Sequence, residues 1–134
     1  ANGSNATLAL RQAIDDCGDS PLGGTVLIPC CLTLFSASLW LRSNLTLRIE
    51  AGASLVHTGI AADAPEVYTR CECVMTFRPA GLLNAGRCLR MKDPLVGWDD
   101  CAEWSELENV AIEGGGTLDG NGEHWLAKAE GDKR

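Results

Sequence analysis

Apolar and polar positions alternate with a period of two over several short stretches of this chain, and each stretch ends at a corner. Leu45, Leu47 and Ile49 fall on one face, with Thr46 and Arg48 on the other. Val110 and Ile112 alternate around Ala111, and after the corner Gly114-Gly-Gly a new strand begins at Thr117-Leu118 before Asp119-Gly-Asn-Gly turns the chain again. Thr25 to Ile28 reads as a compact buried strand stopped by Pro29, Leu32 to Leu41 as further strand with Leu39 and Leu41 alternating around Trp40, and Leu55-Val56 as the start of another. One stretch has the helical period instead. Capped by Ser4 or Asn5, it runs to about Cys17, with Ala9, Leu10, Ala13, Ile14 and Cys17 inward and Arg11, Gln12, Asp15 and Asp16 outward. Strands this short, separated by corners and not by helices, do not make α/β units; they suit a solenoid whose coils stack strand on strand.

An internal repeat supports that reading. The run Asn44-Leu-Thr-Leu-Arg-Ile-Glu-Ala-Gly-Ala-Ser-Leu lies over Asn109-Val-Ala-Ile-Glu-Gly-Gly-Gly-Thr-Leu when two residues are skipped, matching Asn to Asn, strand to strand and turn to turn. Between the copies, residues 58–106 depart from the pattern and are expected to leave the coil as a loop excursion. The layout is then a helical cap over about 5–17, first coils over 24–56, the excursion, a further coil over 107–126 and a polar tail over 127–134. With no initiator Met, no leader and no closing apolar element, the chain is expected to be an incomplete domain.

Composition narrows the function classes. A net charge of −7 with a pI near 4.7 offers no basic stripe for nucleic acid. Ser20 to Leu41 lacks charge over the length of a membrane span, but Gly23, Gly24, Pro29 and its Ser and Thr residues favour buried strands. Seven cysteines, with no paired Cys-x-x-Cys to argue for zinc, favour disulfides in a secreted protein over reduced core thiols. Neighbours in a strand face opposite ways, so one of Cys30 and Cys31 is expected to bridge to Cys17 under the helix; Cys71 and Cys73, too close to pair with each other, would each seek Cys88 or Cys101. The sequons at Asn2, Asn5 and Asn44 fit a secretory route, with Asn5 and Asn44 the glycosylation candidates. His57, alone after an apolar pair, reads as a hydrogen-bonded surface or coil residue without a catalytic role.

Three ordered motifs carry a family resemblance. Gly24-Thr-Val-Leu-Ile-Pro, Ser43-Asn-Leu-Thr-Leu-Arg-Ile-Glu-Ala-Gly-Ala, and Gly114-Gly-Gly-Thr-Leu-Asp-Gly-Asn-Gly with Trp125 just after it resemble the start of glycoside hydrolase family 28, the polygalacturonases, over about residues 5–126. The resemblance implies an all-β, right-handed, single-stranded parallel β-helix whose short N-terminal α-helix caps the first coil. It implies a secreted hydrolase, monomeric as the whole protein, without cofactor or metal, that inverts at the anomeric carbon of galacturonan or rhamnogalacturonan. Tyr68-Thr-Arg-Cys-Glu-Cys resembles the loop of exo-acting members that bears arginine and glutamate, which makes Arg70 and Glu72 candidate sugar contacts, with solvated loop charges as the alternative.

Gly97-Trp-Asp-Asp-Cys-Ala comes close to the family's Gly-Asp-Asp-Cys, yet Asp99 and Asp100 precede the Gly-Gly-Gly-Thr region that the family's catalytic pair follows. Neither Gly-His-Gly nor Arg-x-Lys is present, so no catalytic residue is assigned, and the segment is expected to be scaffold without turnover of its own. A β-helix lyase or epimerase and a noncatalytic glycan-binding or adhesion β-helix are the alternatives.

Overall fold

The alternating stretches become strands that stack in parallel and in register. The computed structural model describes residues 4–86, 91–93, 97–99 and 106–124. In chain order these form β1 (Ser4–Asn5), α1 (Thr7–Asp19), β2 (Gly24–Ile28), β3 (Thr33–Ser36), β4 (Leu39–Trp40), β5 (Leu45–Ile49), β6 (Ser54–His57), β7 (Glu66–Cys71), β8 (Val74–Pro79), β9 (Leu83–Asn84), β10 (Met91–Asp93), β11 (Gly97–Asp99), β12 (Ala111–Glu113) and β13 (Thr117–Asp119). Three parallel sheets, β1-β3-β6-β13, β2-β5-β12 and β4-β9, wall a right-handed β-helix, the hand that parallel crossovers adopt.

The register is that of the sequence repeat. Thr46, Leu47 and Arg48 pair with Ala111, Ile112 and Glu113, while Ser54 and Leu55 pair with Thr117 and Leu118, so the two skipped residues fall at the corner between strands. Val26 and Ile28 lie beside Leu47 and Ile49, and Leu34 beside Leu55. These residues build aliphatic columns along the axis: Leu39, Leu45 and Leu55 are wholly buried, and Val26, Ile28, Leu47 and Ile49 nearly so. Burying a side chain of this size contributes about 1.5–3 kcal/mol. Leu27 and Arg48 alternate outward, as a period of two requires.

Each winding starts from a left-handed corner. Gly23 (φ 70°), Asn44 (φ 58°) and Asn109 (φ 55°) stand one above another just before β2, β5 and β12. Asparagine tolerates this conformation better than most side chains. Asn109 Nδ2 donates to Asn44 Oδ1 at 3.0 Å, whereas a Cβ at position 23 would run into the Asn44 carbonyl, which leaves room there for glycine alone.

The helix closes the first coil two residues later than its sequence signals place it. Asn5 stands before the Ala6 cap position; its Oδ1 accepts the Thr7 N–H at 3.2 Å and the Thr7 hydroxyl at 2.8 Å, and that hydroxyl accepts the Ala37 N–H. Leu10 and Ile14 are buried as expected and Ala13 and Cys17 partly so, but Ala9 is exposed. Arg11, expected outward, turns back to donate to Ser38 O at 3.0 Å. Arg42 holds the helix to the coil from outside, with Asp15 at 3.0 Å and Asp19 at 2.8 Å. Among the described residues no helix is long and apolar enough to cross a membrane.

The excursion is not a single loop. It leaves β6 through a short 3-10 turn at Ala61–Asp63 and forms the antiparallel hairpin β7–β8, which extends through β10 to β11. Midway the chain returns to the solenoid: β9 pairs with β4, Leu39 N–H and Leu41 N–H donate to Leu82 O and Asn84 O, and Asn84 Nδ2 donates to Leu39 O. The strand signals were present in the alternating β-branched and aromatic residues of 66–78. What concealed the hairpin is its two-residue turn. Glu72 (φ 50°) and Cys73 (φ 68°) occupy the left-handed positions of a tight hairpin turn, where Asn or Gly is the usual signal.

Candidate functional site

Arg70 and Glu72 lie at the hairpin's far end, Arg70 in the last turn of ladder opposite Met75 and Glu72 in the turn itself, both exposed. Directly opposed residues share a face, so Tyr68 and Phe77 stand on the same side as Arg70 and Met75. The Tyr68 and Phe77 rings lie 5.0 Å apart at 49°. The opposite face carries Val67, which is buried against the body of the molecule. The outward face therefore presents an aromatic pair, a thioether and a guanidinium that has no ion-pair partner among the described residues. Sequence reasoning named Arg70 as a candidate without the aromatic pair, which a strand assignment over 66–78 would have placed beside it. Glu72 is not on that ladder face but at the turn.

A shallow groove of about 360 Å³ crosses the corners of successive coils, lined by Cys30, Arg48, Glu50, Ala51, Gly114 and Gly115. The glycine run is what lets the third winding approach this closely. A Cβ on Gly114 would meet the Ile49 carbonyl, and one on Gly116 would meet Ile49 Cγ2 and lie 2.7 Å from Glu50 O. Arg48 is held at the groove by Glu113, its ladder partner, at 2.9 Å, and Glu50 Oε2 accepts the Cys30 N–H at 2.9 Å.

The five described cysteines, Cys17, Cys30, Cys31, Cys71 and Cys73, are free thiols. The structure forms no bridge from Cys17 to Cys30 or Cys31, and the course of β2 separates them. Cys17 Sγ lies 2.6 Å from where a Gly24 Cβ would be, while β2 carries the chain from Gly24 to Ile28, roughly 13 Å at the strand rise, before the turn that holds Cys30 and Cys31. A disulfide needs Cα atoms within about 7 Å. Cys30 and Cys31 also stand at a turn after β2 and not within a strand, so strand alternation does not govern them. Cys31 is left-handed (φ 67°) and turns the chain there. The neighbouring Cys31 thiol first, then burial, then the charge of Glu50, push the Cys30 thiol above its ordinary pKa. Cys88 and Cys101 lie outside the described residues, so the bridges expected from Cys71 and Cys73 are not addressed.

His57 is buried within β6 rather than on the surface: Nδ1 accepts the Gly59 N–H at 3.0 Å, and its carbonyl accepts from Asn121 Nδ2 at 3.0 Å. It braces the turn after β6. Asn5 and Asn44 are exposed, each with its side-chain oxygen already engaged. The backbone of Asp99 closes β11, whereas Asp100, Asn2, Trp125 and the polar tail lie outside the described residues. Among the described residues no group of His, Cys, Asp and Glu is arranged to hold a metal ion.

No family model matches the chain. It is 35% identical over 133 residues to an exo-poly-alpha-D-galacturonosidase of Dickeya chrysanthemi, an alignment that takes in 97% of this chain and 19% of that protein. The structure of a family 28 exopolygalacturonase from Yersinia enterocolitica superposes with a TM-score of 0.65 at 33% identity, over 86% of this chain and 18% of that one. The chain thus spans about a fifth of the length of the relatives it matches.

Proposed function

The chain belongs to glycoside hydrolase family 28, and from that premise we propose that it is a scaffold segment of an exo-acting enzyme that hydrolyses galacturonan from a chain end. The observation that carries this reading is the alignment with an exo-acting galacturonosidase along nearly the whole chain, through coils and excursion alike. Inverting hydrolysis takes one carboxylic acid to protonate the leaving oxygen and one carboxylate to activate water on the far side of the ring, set about 6.5–9.5 Å apart. We assign that pair to the rest of the polypeptide, so the 134-residue chain alone turns over no substrate.

In the same proposal the hairpin supplies contacts to the sugar. A pyranose ring presents C–H bonds that pack on aromatic faces, and uronate carboxylates suit a guanidinium, so Tyr68, Phe77 and Arg70 form a surface of fitting chemistry, with Glu72 at its rim. A polymer substrate does not cross a membrane, which supports export of the enzyme; we take the whole protein to be a monomer without cofactor or metal.

The test is digestion of polygalacturonate by the full polypeptide. Monogalacturonate or short products from one end, with no ultraviolet-absorbing unsaturated product, is the expected result; unsaturated product, or no cleavage by a folded protein, would overturn the reading. Replacing Arg70 by Ala is expected to raise KM about tenfold or more, as loss of one charge-assisted contact does, with kcat changed less.

A further inference from the structure

We propose that Asn121-Gly122 is a site of spontaneous succinimide chemistry, and that its conversion to aspartate or isoaspartate releases the third winding from the turn after β6. Asparagine before glycine is the dipeptide in which the backbone nitrogen most readily attacks the side-chain amide, because the following residue has no Cβ to shield that nitrogen. Among the described asparagines, Asn5, Asn44, Asn84 and Asn109 precede Ala, Leu, Ala and Val, and Asn121 alone precedes glycine; Asn2-Gly3 lies outside the described residues. Gly122 is exposed, and a Cβ built on it would meet nothing within 4 Å.

Asn121 is also a fastening of the fold. β13 ends on Asp119, laddered to Val56, and Asn121 carries the attachment one position further by donating from Nδ2 to His57 O at 3.0 Å. Its own N–H donates to Asp119 Oδ1 at 2.7 Å, its carbonyl accepts the His124 N–H at 3.1 Å, and its φ is 56°. Gly59 makes room for the contact: its φ is 73°, and a Cβ there would stand 3.0 Å from both Asn121 Nδ2 and His124 Cγ. These ties hold the reaction in check. Ring closure brings Gly122 N up to Asn121 Cγ, which requires the side chain to leave His57 O and the backbone to rotate out of its left-handed conformation. Conversion therefore proceeds through local opening of the third winding.

The chemistry needs only water. Gly122 N bonds to Asn121 Cγ, the Cγ–Nδ2 bond breaks, and the side-chain amide leaves as ammonia with the proton that Gly122 N gives up. Water then opens either carbonyl of the ring, to aspartate or to isoaspartate. Neither product keeps an Nδ2 hydrogen. A carboxylate oxygen would face the His57 carbonyl, acceptor against acceptor, with the Asp119 carboxylate close by. Isoaspartate also lengthens the main chain by one carbon and moves the residues after it out of place. The fastening, once converted, does not close again.

The experiment incubates the full polypeptide in mildly alkaline buffer, folded or in urea, and follows Asn121 by peptide mapping, with isoaspartyl methyltransferase marking isoaspartate. Conversion is expected in both states, about tenfold or more slower in the folded one, as for a reaction that waits on local opening. Hydrogen exchange of the converted protein should show the β13 amides losing protection while those of β2 and β5 keep theirs. Asn121→Asp should reproduce that loss without incubation. Gly122→Ala should slow conversion in urea and in the folded protein alike, with exchange unchanged. If Asn121→Asp fails to fold, exchange in the converted, unsubstituted protein decides the matter. Equal rates in the two states, no conversion in the folded state, or full protection of β13 after conversion would each overturn the proposal.

Discussion

Leu47 and Ile112 are neighbours in one ladder, at the same place in two copies of one motif, yet Leu47 is 1% exposed and Ile112 49%. Leu55 and Leu118 repeat the contrast at the next strand, 0% against 43%. The second winding has β2 and β3 on one side and β12 and β13 on the other. The third has the second winding on one side, and among the described residues no strand pairs with its other edge. The difference teaches that burial in a solenoid belongs to the stack and not to the strand. An alternating pattern states which side chains face the axis, and the coils above and below decide how far water is excluded.

The largest expected effect tests that directly. In the 134-residue chain, Leu55→Ala should cost about 2–5 kcal/mol of unfolding free energy by urea titration, the range for deleting a fully buried leucine. Leu118→Ala should cost under about 1 kcal/mol, in keeping with its exposure. Equal losses would break the comparison. In a longer polypeptide where a further coil rests on β13, the second cost should climb toward the first.

A middle-sized effect concerns the corner that lets the third winding approach. Gly116→Ala should destabilise by about 1–3 kcal/mol or more, since its Cβ would press on Ile49 Cγ2, Glu50 O and Ala53 O. Gly120→Ala, where a Cβ would have nothing within 4 Å, should stay within about 0.5 kcal/mol. Thermal melting of the two variants separates the outcomes, and a neutral Gly116→Ala would mean that the windings are not in contact there.

The smallest effect belongs to the outer face of the same ladder. Arg48 and Glu113 are half exposed, so a double-mutant cycle with Ala at both positions should give a coupling of about 0.2–1 kcal/mol that fades as salt is added. A coupling that resists salt would show the pair to be shielded in a way that its exposure does not indicate.

Much of the solenoid was legible. The two-residue skip between the Asn44 and Asn109 motifs is the corner between paired strands, and the Asn-to-Asn match is a hydrogen bond. Local pattern sufficed because partner strands in a solenoid repeat the same face to the same neighbours. The hairpin was not read, because Glu72 and Cys73 take left-handed conformations without the residues that usually mark them. The return of β9 to the coil was hidden in Leu83-Asn84, too short a stretch to show a period. Arg70 was named as a candidate without its surroundings: the Tyr68–Phe77 pair joins it only through antiparallel register.

The cysteines show where the boundary lies. Their number and order were plain, but the expected Cys17 bridge assumed that sequence neighbours of the cap were near it in space, and extension along β2 carries Cys30 and Cys31 away. The chain alone determined which side chains face the axis, where the corners fall and which windings are copies, because these follow from the period of a strand and the few residues that turn sharply. Tertiary structure alone decided how deeply each winding is buried, that His57 is buried while Ile112 is half exposed, and which rings meet. Those depend on distances between segments far apart in sequence, to which no local pattern responds.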